Sequence, residues 1–184
     1  MTLVALGHCQ AQPVQVFNAD AIQVSRNGEA YVVDANFHVP VEPGLAFEVF
    51  SDYDHMTDFA PNVRVSKILA NDGKVLRVQQ ASTVHLLFVS IDVESIREVR
   101  LDPPHQIESH GISGDFKSLK SLATFTPEDA GTRVHYHAET VPRYMLPGLI
   151  GPELIRRQTA DQFCAFIREM ERRQGRAGRS QCQI

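Results

Sequence analysis

His135-Tyr136-His137 places paired imidazoles on one face of a strand, with Glu139 next on that face. Imidazoles and carboxylates are zinc ligands. A metal site also needs further donors at ligand spacing, and the sequence offers no such partner set. Solvated strand polars account for the pattern better. Gly111-Ile112-Ser113-Gly114 is glycine-rich but follows a strand and opens no helix. A phosphate loop uses the amides of a helix start, so this segment reads as a turn or bulge. Cys9, Cys164 and Cys182 form no Cys-x-x-Cys pair, so neither a zinc site nor a disulfide framework is expected. General acid–base chemistry needs a titratable group within hydrogen-bond reach of a substrate. The candidates are loop residues: Asp54, His55, Asp58 and Asp115.

The elements that would position these groups belong to one domain, the expectation for 184 residues. A chain of this size buries roughly 70% of its unfolded surface, enough for a core and a pocket. The net charge of −4 argues against general nucleic-acid binding. The arginines between Arg156 and Arg179 read as a solvated helix end and tail. No apolar run approaches the ~20 residues that span a bilayer. Residues 1–13 read as a leader or the remnant of a signal peptide. Thr2–Gly7 is apolar but short, and Cys9-Gln10-Ala11 would suit a signal-peptidase site. Cytoplasmic and periplasmic placement are both open.

Hydrophobic periodicity lays out the domain over 14–173. Val14–Ser25 reads as a weak strand or as two pieces broken at Asn18-Ala19-Asp20. Asn27-Gly28 predicts a type I′ hairpin turn. Tyr31–Val39 follows, with apolar odd positions and polar even ones. Glu42-Pro43 opens a helix striped by Leu45, Phe47, Val49 and Phe50, and a second short helix runs to Phe59. Strands are then expected at Val63–Ala70, Lys74–Val84, Leu86–Val99, His105–Gly111, Lys117–Thr126 and Thr132–Pro142, an antiparallel meander. Pro152–Arg173 is a long amphipathic helix with Ile155, Thr159, Phe163, Phe166, Ile167 and Met170 on one stripe. The tail from 174 to 184 is expected to be disordered.

Burying the more apolar phase of each strand sends one set inward. It comprises Leu76, Val78, Gln80, Ser82 and Val84; Leu87, Val89, Ile91, Val93 and Ser95; Ile107, Ser109 and Gly111; and Val134, Tyr136, Ala138 and Thr140. Asp34, Asp92, Glu94, Glu108, His110, His135, His137 and Glu139 fall in the outward phase. The inward set is apolar with a few neutral hydrogen-bonding groups, which is pocket chemistry. A solid core with self-satisfied hydroxyls would give the same alternation.

Three stretches carry a family resemblance. Val39-Pro40-Val41 runs into Ala46-Phe47-Glu48-Val49-Phe50-Ser51-Asp52-Tyr53 and Phe59-Ala60-Pro61-Asn62-Val63. Gly114-Asp115-Phe116-Lys117-Ser118 is the second. Val141-Pro142-Arg143 with Leu146-Pro147-Gly148-Leu149-Ile150-Gly151-Pro152 is the third. Over Tyr31 to Arg173 the chain resembles the polyketide cyclase/dehydrase branch of the START-like (SRPBCC) superfamily, related to the coenzyme Q-binding START-type proteins. The resemblance implies an α+β helix-grip fold, a curved antiparallel sheet wrapped on the C-terminal helix around a hydrophobic cavity. It implies binding or carriage of a lipid, quinone or polyketide-like molecule. It brings no catalytic residue, cofactor or metal, and bacterial proteins of this kind often carry a signal peptide. The alternatives are a cyclase or dehydratase using loop residues at the cavity mouth with Tyr136 orienting substrate, and a protein-interaction module. The expected ligand-binding residues are Phe47, Val78, Gln80, Val89, Ile91, Ser109, Tyr136, Phe163 and Phe166. No motif specifies the ligand or an oligomeric state.

Overall fold

The computed structural model describes residues 16–86, 89–144, 151–175 and 181–183. The expected leader over 1–13 and the inward placement of Leu87 lie outside the described residues, as does the side chain of Val89.

Val16–Asn18 is β1, followed by a 3-10 turn at Ala19–Ala21 and β2 at Ile22–Asn27. The Asn18 side chain accepts the amide of Asp20, which starts the break between the two strands. β2 and β3 (Ala30–Val39) form a hairpin. Positive φ occurs at Gly28, at +61°, while Glu29 stays negative. That is the II′ pattern rather than the expected I′. α1 (Pro43–Ser51), a 3-10 turn (Tyr53–His55) and α2 (Met56–Phe59) follow. Then come β4 (Val63–Asn71), β5 (Val75–Leu86), β6 (Val89–Asp102), β7 (Gln106–Gly114), β8 (Phe116–Glu128) and β9 (Gly131–Pro142). α3 covers Pro152–Arg173 with proline in its first turn, about 33 Å at the helical rise.

The large sheet has eight strands in the order β2-β3-β9-β8-β7-β6-β5-β4. Every neighbouring pair in it is antiparallel. The chain lays down one edge, crosses through α1 and α2 to the other, and meanders back to β3. α3 lies along the inner face. This is the helix-grip, START-like architecture.

The meander gives the inner face two unlike ends. β3 runs towards one end, and α1 turns in there. Val49 is fully buried, and Phe50 meets Phe125 and Phe166 edge-on at 5.2 and 4.8 Å. With Leu76, Val78, Val99 and Val134 these rings close that end as solid core. The opposite end is built by the end of β5, the start of β6, the β7–β8 turn, the end of β9 and the start of α3.

The expectations about the tail and the cysteines need correction. Gln181–Gln183 is β10, paired in parallel with β1. Cys164 of α3 is bonded to Cys182 of β10. The spacing of the cysteines carries no pairing motif, so only the return of the tail to α3 reveals the bond.

Candidate functional site

The inner face is hollow at its open end. A cavity of about 440 Å³ runs between the sheet and α3. Val84, Ile91, Val93, Phe116, Pro142, Tyr144 and Ile155 surround its mouth, and Phe50, Tyr53 and Met56 form its floor. α3 contributes Gln158, Thr159, Gln162, Phe163 and Phe166. The Thr159 hydroxyl donates to the Ile155 carbonyl, so it costs the wall no unpaired donor. Phe163 is the central wall element: its ring lies 5.2 Å from Tyr136, 5.0 Å from Phe37 and 5.9 Å from Phe50.

Three charged residues border the cavity, Asp92, Arg97 and Asp115; Asp92 is held by Arg64 and Thr83 and Asp115 by a backbone amide. On β6 the inward phase runs Ile91, Val93, Ser95 and then Arg97, before Val99 returns to fully buried core. Arg97 lines the cavity, its guanidinium carbon 5.9 Å from the Tyr53 ring centre. Its Nε is buried without a hydrogen-bond partner, as is the Ser109 hydroxyl nearby on β7. None of the ion pairs among the described residues involves Arg97. Burial raises the Tyr53 phenol above its usual pKa, and the Arg97 charge partly opposes this. Tyr136 is raised for the same reason, against the pull of Arg97 and a hydrogen bond with Ser121. Both phenols therefore stay protonated as donors at neutral pH.

The strand facing Arg97 is bulged. Ile96 pairs with Ser113 and Arg97 with Gly111, leaving Ile112 as the extra residue. The glycine-rich segment is thus the expected bulge. Gly111 is the cross-strand neighbour of Arg97 and puts no side chain against the guanidinium. Gly114 has φ +115°, and a Cβ there would lie 2.3 Å from the Glu94 carbonyl oxygen. Only glycine allows this turn into β8.

The nine residues expected to bind ligand divide three ways. Gln80, Ile91, Tyr136, Phe163 and Phe166 line the cavity. Phe47, Val78 and Ser109 are buried, at 6, 0 and 2% exposure, but lie outside the lining. Phe47 faces Phe125 at the closed end, where α1 fills the space. The side chain of Val89 lies outside the described residues. Gln80 points its amide at Ser66 and the Met56 sulfur, leaving its carbonyl for the cavity.

The candidate acid–base residues are not all at the mouth. Asp54, His55 and Asp58 belong to the helix pair at the closed end, because α1 follows β3 out of that end. His55 and Asp58 line a separate surface groove with Asp52, Glu169 and Arg173. The Asp54 carboxylate accepts the Ile68 amide. Asp115 does line the cavity, but its carboxylate accepts the Glu94 amide at 2.8 Å. Arg143 reinforces that corner by donating to the Gly114 and Phe116 carbonyls. On the outer face, His137 is paired with Asp34 at 2.7 Å across β3 and β9. Among the described residues no group of three or more His, Cys, Asp or Glu could hold a metal ion.

Arg97 is the residue that sequence reading missed. The alternation in β6 already pointed to it, one step beyond Ser95. A cation at an otherwise apolar phase looks like the end of the buried run rather than its polar centre.

A family model described as polyketide cyclase/dehydrase and lipid transport matches residues 39–167. The chain belongs to that family. Solved structures of the START/SRPBCC superfamily share its fold. A Thermus thermophilus protein aligns with TM-score 0.66 at 17% identity, covering 77% of this chain and 98% of its own. The Zhui aromatase/cyclase of a Streptomyces strain aligns with TM-score 0.66 at 18% identity, over 78% of this chain and 95% of its own. A STAR-related lipid transfer protein from Xanthomonas axonopodis reaches 0.65 at 10% identity, over 83% of this chain and 99% of its own. At such identities the likeness establishes the fold. No curated protein matches the chain. In this family member no described helix is long and apolar enough to cross a membrane.

Proposed function

We propose that the protein binds and carries a hydrophobic small molecule whose apolar body fills the cavity and whose anionic oxygen head meets Arg97. The observation that carries this reading is an inward guanidinium whose buried Nε has no hydrogen-bond partner, in a cavity walled mainly by aromatic and aliphatic side chains. A buried donor left without a partner costs about 1–3 kcal/mol, and no ion pair among the described residues offsets it here. A ligand oxygen would. The Tyr53 and Tyr136 phenols and the Gln80 amide offer neutral hydrogen bonds around it, while the mouth residues provide an apolar path in.

The test compares an apolar acid, such as a naphthoate or medium-chain fatty acid, with its methyl ester. The acid is expected to bind the wild type roughly tenfold or more tightly than the ester, as a charge-assisted hydrogen bond provides. Arg97→Met should erase that preference while leaving ester affinity nearly unchanged. Equal affinity of the wild type for acid and ester would remove the head-group assignment. No binding of either would remove carriage itself.

A second reading is a cyclase or dehydratase, favoured by one observation: Arg97 and the Tyr136 phenol could stabilise an enolate oxygen at the same place. Both carboxylates that line the cavity are already engaged, Asp115 by the Glu94 amide and Asp92 by the Thr83 hydroxyl and Arg64, so a proton-abstracting base would have to be freed from these bonds. Turnover of a β-polyketone by the wild type, lost in Asp115→Asn that still binds ligand, would make this reading the better one.

A further inference from the structure

The two ends of the described chain meet on the outside of α3. β10 has three residues, and its neighbours Gln181 and Gln183 are exposed. Its partner is β1, a strand of three residues, with Cys182 opposite Phe17. Three parallel pairs in a two-stranded ribbon do not hold themselves in water. β1 has its own anchors: Phe17 is 4% exposed and meets Phe37 edge-on at 5.2 Å, and Ala19 and Ile22 are buried behind it. Among the described residues of the tail, Cys182 packs against the core and carries the sulfur bridge. On the helix side, Cys164 is 1% exposed and belongs to the same turn of α3 as Phe163 and Phe166, whose rings wall the cavity. The bridge therefore ties the tail to the same helical turn that faces the ligand.

We propose that the Cys164–Cys182 bond is a redox latch that holds the C-terminal strand over the back of the cavity's helical wall and releases it when a dithiol reduces the bond. The reaction is ordinary exchange. A thiolate of the dithiol attacks the Sγ of Cys182, the less buried residue of the pair, and displaces Cys164 as a thiolate that takes up a proton. The second thiol of the reductant then attacks the mixed disulfide, and Cys182 leaves as a thiol. The protein gains two hydrogens and the dithiol closes to its own disulfide. With β10 gone, the backs of Phe17 and of the turn bearing Phe163 and Phe166 lose their cover, and the wall opens more readily.

Hydrogen exchange with and without dithiothreitol tests this on the intact chain. On reduction, amides of β10 and of the α3 turn around Cys164 should exchange several-fold faster, while β5, β6 and β9 stay protected. Dissociation of a fluorescent apolar probe should accelerate by a similar factor. Cys182→Ser should show the released state without reductant, and it leaves the buried Cys164 thiol in its packing. Unchanged exchange in β10 on reduction would overturn the latch, since pairing alone would then hold the strand. A freed tail with α3 exchange unaltered would overturn its link to the cavity. The hydrogen-exchange readouts stand whether or not a probe binds.

Discussion

Arg97 on the inner face of β6 keeps a buried Nε without a partner, and replacing it should reveal what that costs the empty protein. Arg97→Met removes the buried unpaired donor and keeps the side-chain length. We expect the variant to be as stable as the wild type, or more so by about 1 kcal/mol, since a buried polar group without a partner is a net cost. Urea denaturation of the ligand-free protein checks it. A loss above about 2 kcal/mol would mean the guanidinium supports the fold rather than a ligand. Phe163 behaves oppositely. Its ring touches Phe37, Phe50 and Tyr136, and Phe163→Ala should cost roughly 3–5 kcal/mol. A denaturation loss below about 1 kcal/mol would contradict its place as the central wall residue.

At the scale of elements, the closed end is fastened by charge. Arg173 of α3 bonds Asp52 at the end of α1, and Glu169 accepts hydrogen bonds from Arg172 and Arg173. The Arg172 hydrogen bond, against some desolvation and with help from Arg173, lowers the Glu169 carboxyl from 4.5 to about 2. A depressed carboxyl stabilises the fold fully above its unfolded value and loses that contribution as the pH falls. Glu169→Gln should therefore cost about 1 kcal/mol at pH 7. The difference should shrink below pH 4.5 and vanish near pH 2. A thermal scan of both proteins from pH 7 to 2 reads it. The β7–β8 turn is a second fastening. Gly114→Ala forces a Cβ onto the Glu94 carbonyl at positive φ, and roughly 2 kcal/mol or more should be lost. Elements were the most legible level in the sequence. Alternation and proline placed six meander strands and both ends of α3 close to where they stand. Packing against α1 was not legible. Alternation gives Val78 and Gln80 the same inward phase, yet only Gln80 borders the cavity, because α1 fills one end of the sheet and leaves the other open. The same blind spot put Asp54, His55 and Asp58 at the mouth instead of the plugged end. The strand at the tail was equally hidden, since three residues carry no period.

For the whole molecule, a ligand that binds only the folded state should raise the melting temperature as its concentration exceeds its Kd. Ile91→Trp at the mouth should abolish that shift without unfolding the protein. A persistent shift would place binding outside this cavity. Such a bond persists in an oxidising compartment and is opened in a reducing one, so its redox state distinguishes periplasmic from cytoplasmic placement. Thiol labelling of the protein isolated from each compartment decides this.

The pairing of β3 with β9 joins Asp34 to His137, residues 103 apart. The sheet is thus closed by its last strand, and during synthesis the β2–β3 hairpin emerges long before its neighbour. At ~5–20 residues per second the ribosome leaves it waiting roughly 5–20 s. Throughout that interval the hairpin offers Val33, Ala35 and Phe37 to any passing surface, so synthesis is the stage at which this hairpin should be most open to attack. Stalled chains ending before β9 should be cut by protease within the hairpin, and chains long enough to include β9 and α3 should resist.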